Sequence, residues 1–139
     1  MSAPEHRQHK EHKKALRLLE VAALPFPTAQ GTQALLREGC EALAEQGNEV
    51  HLLVYAHGAA PYTPPLPNLV VHRVADWPHE RSLRSGPSWR KLVLDWRLIF
   101  AIRHLSRELH PDVVHAHNYE ALGAAIDAAR LPRSYALRL

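Results

Sequence analysis

The chain has 139 residues, is 46% hydrophobic and carries a formal net charge of +3. That length and apolar content allow one domain with a sizeable core, or part of one, and argue against global disorder. No apolar run reaches the roughly 18 residues that span a bilayer, no leader pattern opens the chain, and the single cysteine, Cys40, excludes an internal disulfide. A cytoplasmic protein is the expectation.

The positive charge is local. Residues 1–17 hold Arg7, Lys10, Lys13, Lys14 and Arg17 against Glu5 and Glu11, which is +3, and the remainder has twelve charges of each sign. A neutral domain behind a basic tail argues against nucleic-acid binding, which needs basic residues clustered on the folded surface. Residues 1–15 are expected to be a polar, disordered tail with at most a weak attraction to an anionic membrane at the inner face. His6, His9 and His12 recur three apart and would share a helix face able to hold a metal. A solvated basic tail is the simpler reading.

Residues 16–23, LRLLEVAA, read as a first strand, followed by the bend LPFPTAQGT. Thr32 to Gln46 reads as a helix, with Leu36, Cys40 and Leu43 on its apolar face and Gln33, Arg37, Glu41 and Glu45 elsewhere. Gly47 stands where a left-handed cap belongs. Cys40 is then a core thiol. EVHLLVY (49–55) is a second strand and LVVHRV (69–74) a third. Between them lies the proline-rich HGAAPYTPPLPN, which no helix interior or central strand accommodates.

The stretch WPHERSLRSGPSWRK (77–91) is basic and aromatic, and reads either as a solvated connection or as a contact for a phosphorylated acceptor or a membrane. Ser88 can cap a long helix that Pro111 stops. Its aromatic stripe, Trp89, Leu92, Val93, Trp96, Ile99 and Phe100, is expected in the core, with Leu98, Ile102, Leu105 and Leu109 widening it. DVVHAH (112–117) is a fourth strand, 120–129 a helix, and 134–139 the opening of a fifth strand. The fold class is therefore α/β: a Rossmann-like, mostly parallel sheet with helices on both faces, over residues 16–139. A strand that opens as the chain stops is read as the mark of a fragment.

In an open parallel sheet, ligands sit beyond the carboxyl ends of the strands. Two loops meet that condition. Gly31 and Thr32 stand at a helix N-terminus, where free N–H groups and the dipole favour an anion. The loop is neither GxGxxG nor a Walker loop, so a plain turn with a cap fits equally well. His115 and His117, two apart, face one side of their strand. His117, at the strand end, is the better placed to exchange a proton or to bond a sugar hydroxyl. A satisfied buried histidine fits the same pattern. Local spacing gives the pair no third metal ligand.

Together, LRLLEVAALPFPTAQGTQALLREGCEALAEQGNEVHLLVYAHG (16–58) and PDVVHAHN (111–118) resemble the N-terminal half of family 4 glycosyltransferases, of the GT-B fold. LAEQGNEV (43–50) is similar to the family's "LARRGHEV", and DVVHAHN to its "DVVHAHD". The resemblance implies retaining transfer of a sugar from a nucleotide-sugar donor to an acceptor, with no metal or other cofactor. It places Gly31, with Thr32 beside it, at the donor diphosphate, His117 near the reacting sugar, and Asn118 among the substrate contacts. Many members have two glycines in the first loop; Gln30 takes the first place here. The family's C-terminal donor-binding domain is missing from this sequence, so the 139 residues alone are expected to be inactive. The alternative is a non-catalytic flavodoxin-like binding module or an inactive remnant.

Overall fold

A computed structural model describes residues 14–27, 31–56, 61–74 and 89–130. Within them run β1 (Arg17–Pro25), α1 (Gly31–Glu45), β2 (Glu49–Tyr55), β3 (Leu69–Val74), α2 (Trp89–Leu109), β4 (Val113–Ala116) and α3 (Tyr119–Arg130). Most of the tail, the stretch 77–88 and the fifth strand expected at 134–139 lie outside the described residues.

The four strands form one parallel sheet in the order β3-β2-β1-β4. The expected Rossmann-like α/β architecture is what the chain adopts. Alternation along β1 divides its side chains between two cores. Leu18, Ala22 and Phe26 pack with Leu36, Cys40 and Ala44 of α1, whereas Leu19, Val21 and Ala23 pack with residues of α2 and α3.

The ends of the elements follow their local chemistry. Gly47, at φ +88°, ends α1 in a Schellman turn: its N–H donates to Ala44 O at 2.9 Å, and that of Asn48 to Leu43 O at 3.4 Å. Arg17 joins three elements at the opposite sheet edge from the strand carboxyl ends. Its Nε donates to Glu49 at 2.7 Å, its guanidinium to Leu109 O at 2.5 Å, and its backbone N–H to Asp112 at 2.8 Å.

Three expectations about burial need correction. In α2 the buried stripe is Leu94, Leu98, Ile99, Ile102 and Leu105, while Trp96 is 53% exposed and Val93 also faces outward. The side chains of Trp89 and Leu92 lie outside the described ones. Two apolar stripes run along this helix, and the sheet with α3 covers only one of them; Trp96 and Phe100 stack on each other, centroids 6.0 Å apart, instead of entering the core. In α1, Gln33 is buried, where another face was expected: it stands three residues before Leu36 and seven before Cys40, so the helical period puts it on their face. In β4, Val113 and Val114 are exposed, because among the described residues β4 pairs only with β1 and stands at the sheet edge.

Candidate functional site

From β1 the chain steps outward to β2 and β3, then crosses back to place β4 on the other side of β1. The order therefore reverses between β1 and β4, which is the switch point beyond whose strand carboxyl ends α/β sheets bind ligands. Leu18 to Val21 pair with Val113 to Ala116, residue for residue. His117 follows directly. Its backbone N–H donates to Val21 O at 2.9 Å, which continues the ladder one step and fixes the backbone that carries the ring.

Glu20 lies opposite His115 in this register and is only 2% exposed. A carboxylate buried in an apolar strand costs several kcal/mol unless it is partnered. Both histidines supply partners to one oxygen: His117 Nε2 lies 2.6 Å from Glu20 Oε2, and His115 Nδ1 lies 2.9 Å from it. The two rings sit 4.4 Å apart, centroid to centroid. As a carboxylate Glu20 can only accept, so His117 turns its Nε2–H inward. In the neutral ring that leaves Nδ1 as the acceptor for an incoming group.

The His117 side chain is 25% exposed and that of His115 59%. His117 is thus held and still accessible, whereas His115 is largely in solvent. Asn118 is committed to the scaffold: its Oδ1 accepts from Ala121 N–H at 2.8 Å, capping α3, and its Nδ2 donates to Ala23 O at 3.3 Å. It locks the start of α3 to the end of β1, immediately beside His117.

The exit of β1 is held from β3 and from the proline-rich loop. Arg73 donates to Phe26 O at 2.5 Å, and the buried Phe26 ring meets Tyr62 edge-on at 5.1 Å. The Tyr62 hydroxyl in turn donates to Glu41 of α1 at 2.9 Å. Beyond this anchor, Gly31 and Thr32 form the exposed first turn of α1. A Cβ built on Gly31 meets nothing within 4 Å, so the fold itself does not demand glycine there. Gln30 lies outside the described residues. Glu20, His115, His117 and Asn118 are brought together; no hydrogen bond or ring contact among the described residues ties Gly31 or Thr32 to them.

Sequence reasoning passed over Glu20. The signal was present: one carboxylate inside LLEVAA, an otherwise unbroken apolar strand. Such a residue must find a partner, and only a neighbouring strand can offer one. Cys40, by contrast, is the core thiol expected. Burial, then the nearby Glu20 and Glu41 carboxylates, push its pKa up to about 12, so it is no nucleophile near neutrality.

Among the described residues no helix is long and apolar enough to cross a membrane. No curated protein matches the chain at a significant level. Among solved structures, the C-terminal domain of a hydrogenase from Pyrococcus furiosus superposes with a TM-score of 0.55 at 14% identity, over 83% of this chain and 84% of that one. At that identity the likeness is one of fold alone. The Glycosyltransferase Family 4 model matches residues 29–138, a span that takes in the α1 N-terminus and the β4 histidines and leaves out β1 with Glu20. The chain therefore belongs to glycosyltransferase family 4, and its Rossmann-like sheet is an N-terminal domain of that family.

Proposed function

We propose that this domain forms the acceptor-side wall of a transferase cleft, and that the complete enzyme moves a sugar from a nucleotide-sugar donor to an acceptor with retention of configuration. The observation that carries this reading is His117. It stands at the switch point between β1 and β4, accessible on one side and held on the other by a buried carboxylate.

In this reading His117 Nδ1 bonds a hydroxyl of the reacting sugar or takes up its proton. The free N–H groups at the start of α1 meet the donor diphosphate, with Gly31 letting the backbone approach closely. Asn118 acts on the substrate side through its hold on α3 and β1. Transfer on this plan needs no metal, and the nucleotide is bound by a second domain across the cleft.

The test uses the chain joined to a donor-binding domain and a panel of nucleotide sugars. His117→Ala is expected to lower kcat by about 100-fold or more, as loss of a proton-transfer or hydroxyl-binding group does. His115→Ala should cost less than about tenfold. Equal losses from the two substitutions, or none, would assign the cleft to the wrong histidine.

A further inference from the structure

The cluster around Glu20 has a second chemical property. Glu20 Oε2, His115 Nδ1 and His117 Nε2 all lie within 4.8 Å of one another. Two imidazoles and one carboxylate are the ligand set of open zinc sites, where a fourth position stays free. Around a tetrahedral ion, bonds of about 2.0–2.2 Å separate ligand atoms by roughly 3.4 Å. The contacts of 2.6 and 2.9 Å would each have to lengthen by less than about 1 Å, within reach of side-chain rotation alone.

The backbone already provides the arrangement. Glu20 and His115 are register partners on adjacent strands, and His117 follows at the end of the same ladder. The carboxylate is buried and the rings become progressively more exposed, which leaves the free position on the solvent side. Charge favours occupancy too: among the described residues the partners of Glu20 are these two rings, with no Lys or Arg paired to it. A dication would take the place of the ring proton that now faces a buried carboxylate.

A second histidine cluster shows the contrast. His51 Nε2 meets Glu49 at 2.9 Å and its Nδ1 meets His72 at 2.9 Å, so the ring bridges two partners on opposite sides. Those atoms do not converge on one point as the Glu20 group does.

We propose that Glu20, His115 and His117 bind a divalent transition-metal ion of the zinc class, and that the bound ion takes His117 out of sugar transfer. The binding stands independently of the transferase reading; the inhibition rests on it.

The probes are Co2+, followed by its visible absorption, and Zn2+, followed by calorimetry. Both are added as the metal alone to the full chain with His6, His9 and His12 changed to Gln, so that the tail cannot contribute. One equivalent is expected to bind. Glu20→Gln and His115→Ala should each weaken binding at least tenfold with unchanged circular dichroism. Affinity should fall as the pH drops from about 7.5 to about 6, because protons compete for the rings. Parent-level binding by both variants, or no binding by the parent, would overturn the site. If Glu20→Gln fails to fold, His115→Ala, at an exposed position, decides alone. In the active transferase, Zn2+ should inhibit the parent and inhibit His115→Ala at least tenfold less strongly. Binding without inhibition would keep the metal site and overturn the occlusion of His117.

Discussion

Glu20 and His117 are 97 residues apart in sequence, and their side chains meet at 2.6 Å across the β1–β4 pair. The bond joins a residue that has no access to water to one that does, so the buried partner sets what the exposed partner presents. Glu20 therefore serves stability and function together. Removing one partner of a buried pair is destabilising, because the other loses its bond and stays largely out of water. Glu20→Leu should therefore melt at a lower temperature, and transfer by the complete enzyme should fall about tenfold or more as His117 loses its orientation. Thermal melts and initial rates on the same preparation check both halves.

Gly31 offers the converse test. Its φ is not positive and a Cβ there meets open space, so alanine fits the first turn of α1. Gly31→Ala should leave the fold intact and stabilise it by up to about 1 kcal/mol, through better helix propensity and a less flexible unfolded chain. The KM for the donor should nonetheless rise, by about tenfold if the backbone here touches the diphosphate. An unchanged KM would remove Gly31 from the donor site.

Asn48 is buried, and its amide serves two backbone groups at once. Its Oδ1 accepts from Leu16 N–H at 3.1 Å, and its Nδ2 donates to Leu43 O at 2.9 Å. Asn48→Ala leaves the Leu16 N–H without its acceptor and Leu43 O with only the long bond from the residue 48 backbone N–H, and should cost about 1–3 kcal/mol in chemical denaturation. A loss below about 0.5 kcal/mol would mean that water replaces the amide.

His72 predicts a response to mild acid. Burial lowers its pKa below 6.5, and His51 beside it lowers it further, while Glu108 opposes the shift. Between the unfolded and folded pKa values the unfolded state binds more protons, so stability rises with pH there. The contribution is fully present above pH 6.5 and is lost as the pH falls through that value toward the folded pKa. Glu49, held low by the hydrogen bonds from His51 and Arg17, acts in a separate window below 4.5. Denaturant midpoints should therefore fall between about pH 7.5 and 5, and His72→Gln should flatten that slope.

Cys40 should ignore thiol reagents while the protein is folded. With burial and the neighbouring carboxylates holding its pKa at about 12, the thiolate fraction at neutral pH is negligible. Reaction with a chromogenic disulfide should follow the unfolding curve in denaturant. Rapid labelling of the native chain would show that α1 opens without global unfolding.

Much of this architecture could be read along the chain. Pro25 and Pro27 close β1, Gly47 ends α1, and Pro111 follows the end of α2; each acts through its own backbone geometry, which its neighbours do not change. The placement of His117 at a strand end was equally legible, since period and punctuation locate the strand. The inward face of α2 was not. Trp96 and Leu98 both belong to helical stripes, and only the position of the sheet and α3 decides which one is covered.

The sequence alone therefore determined the kinds of element and their order, because those depend on residues a few positions apart. The tertiary structure decided that Glu20 meets His115 and His117, that the Asn118 amide ties the start of α3 to β1, and that among the described residues β4 pairs only with β1. These contacts join residues nearly a hundred positions apart. They follow from strand order and register, which a local pattern of apolar and polar residues leaves open.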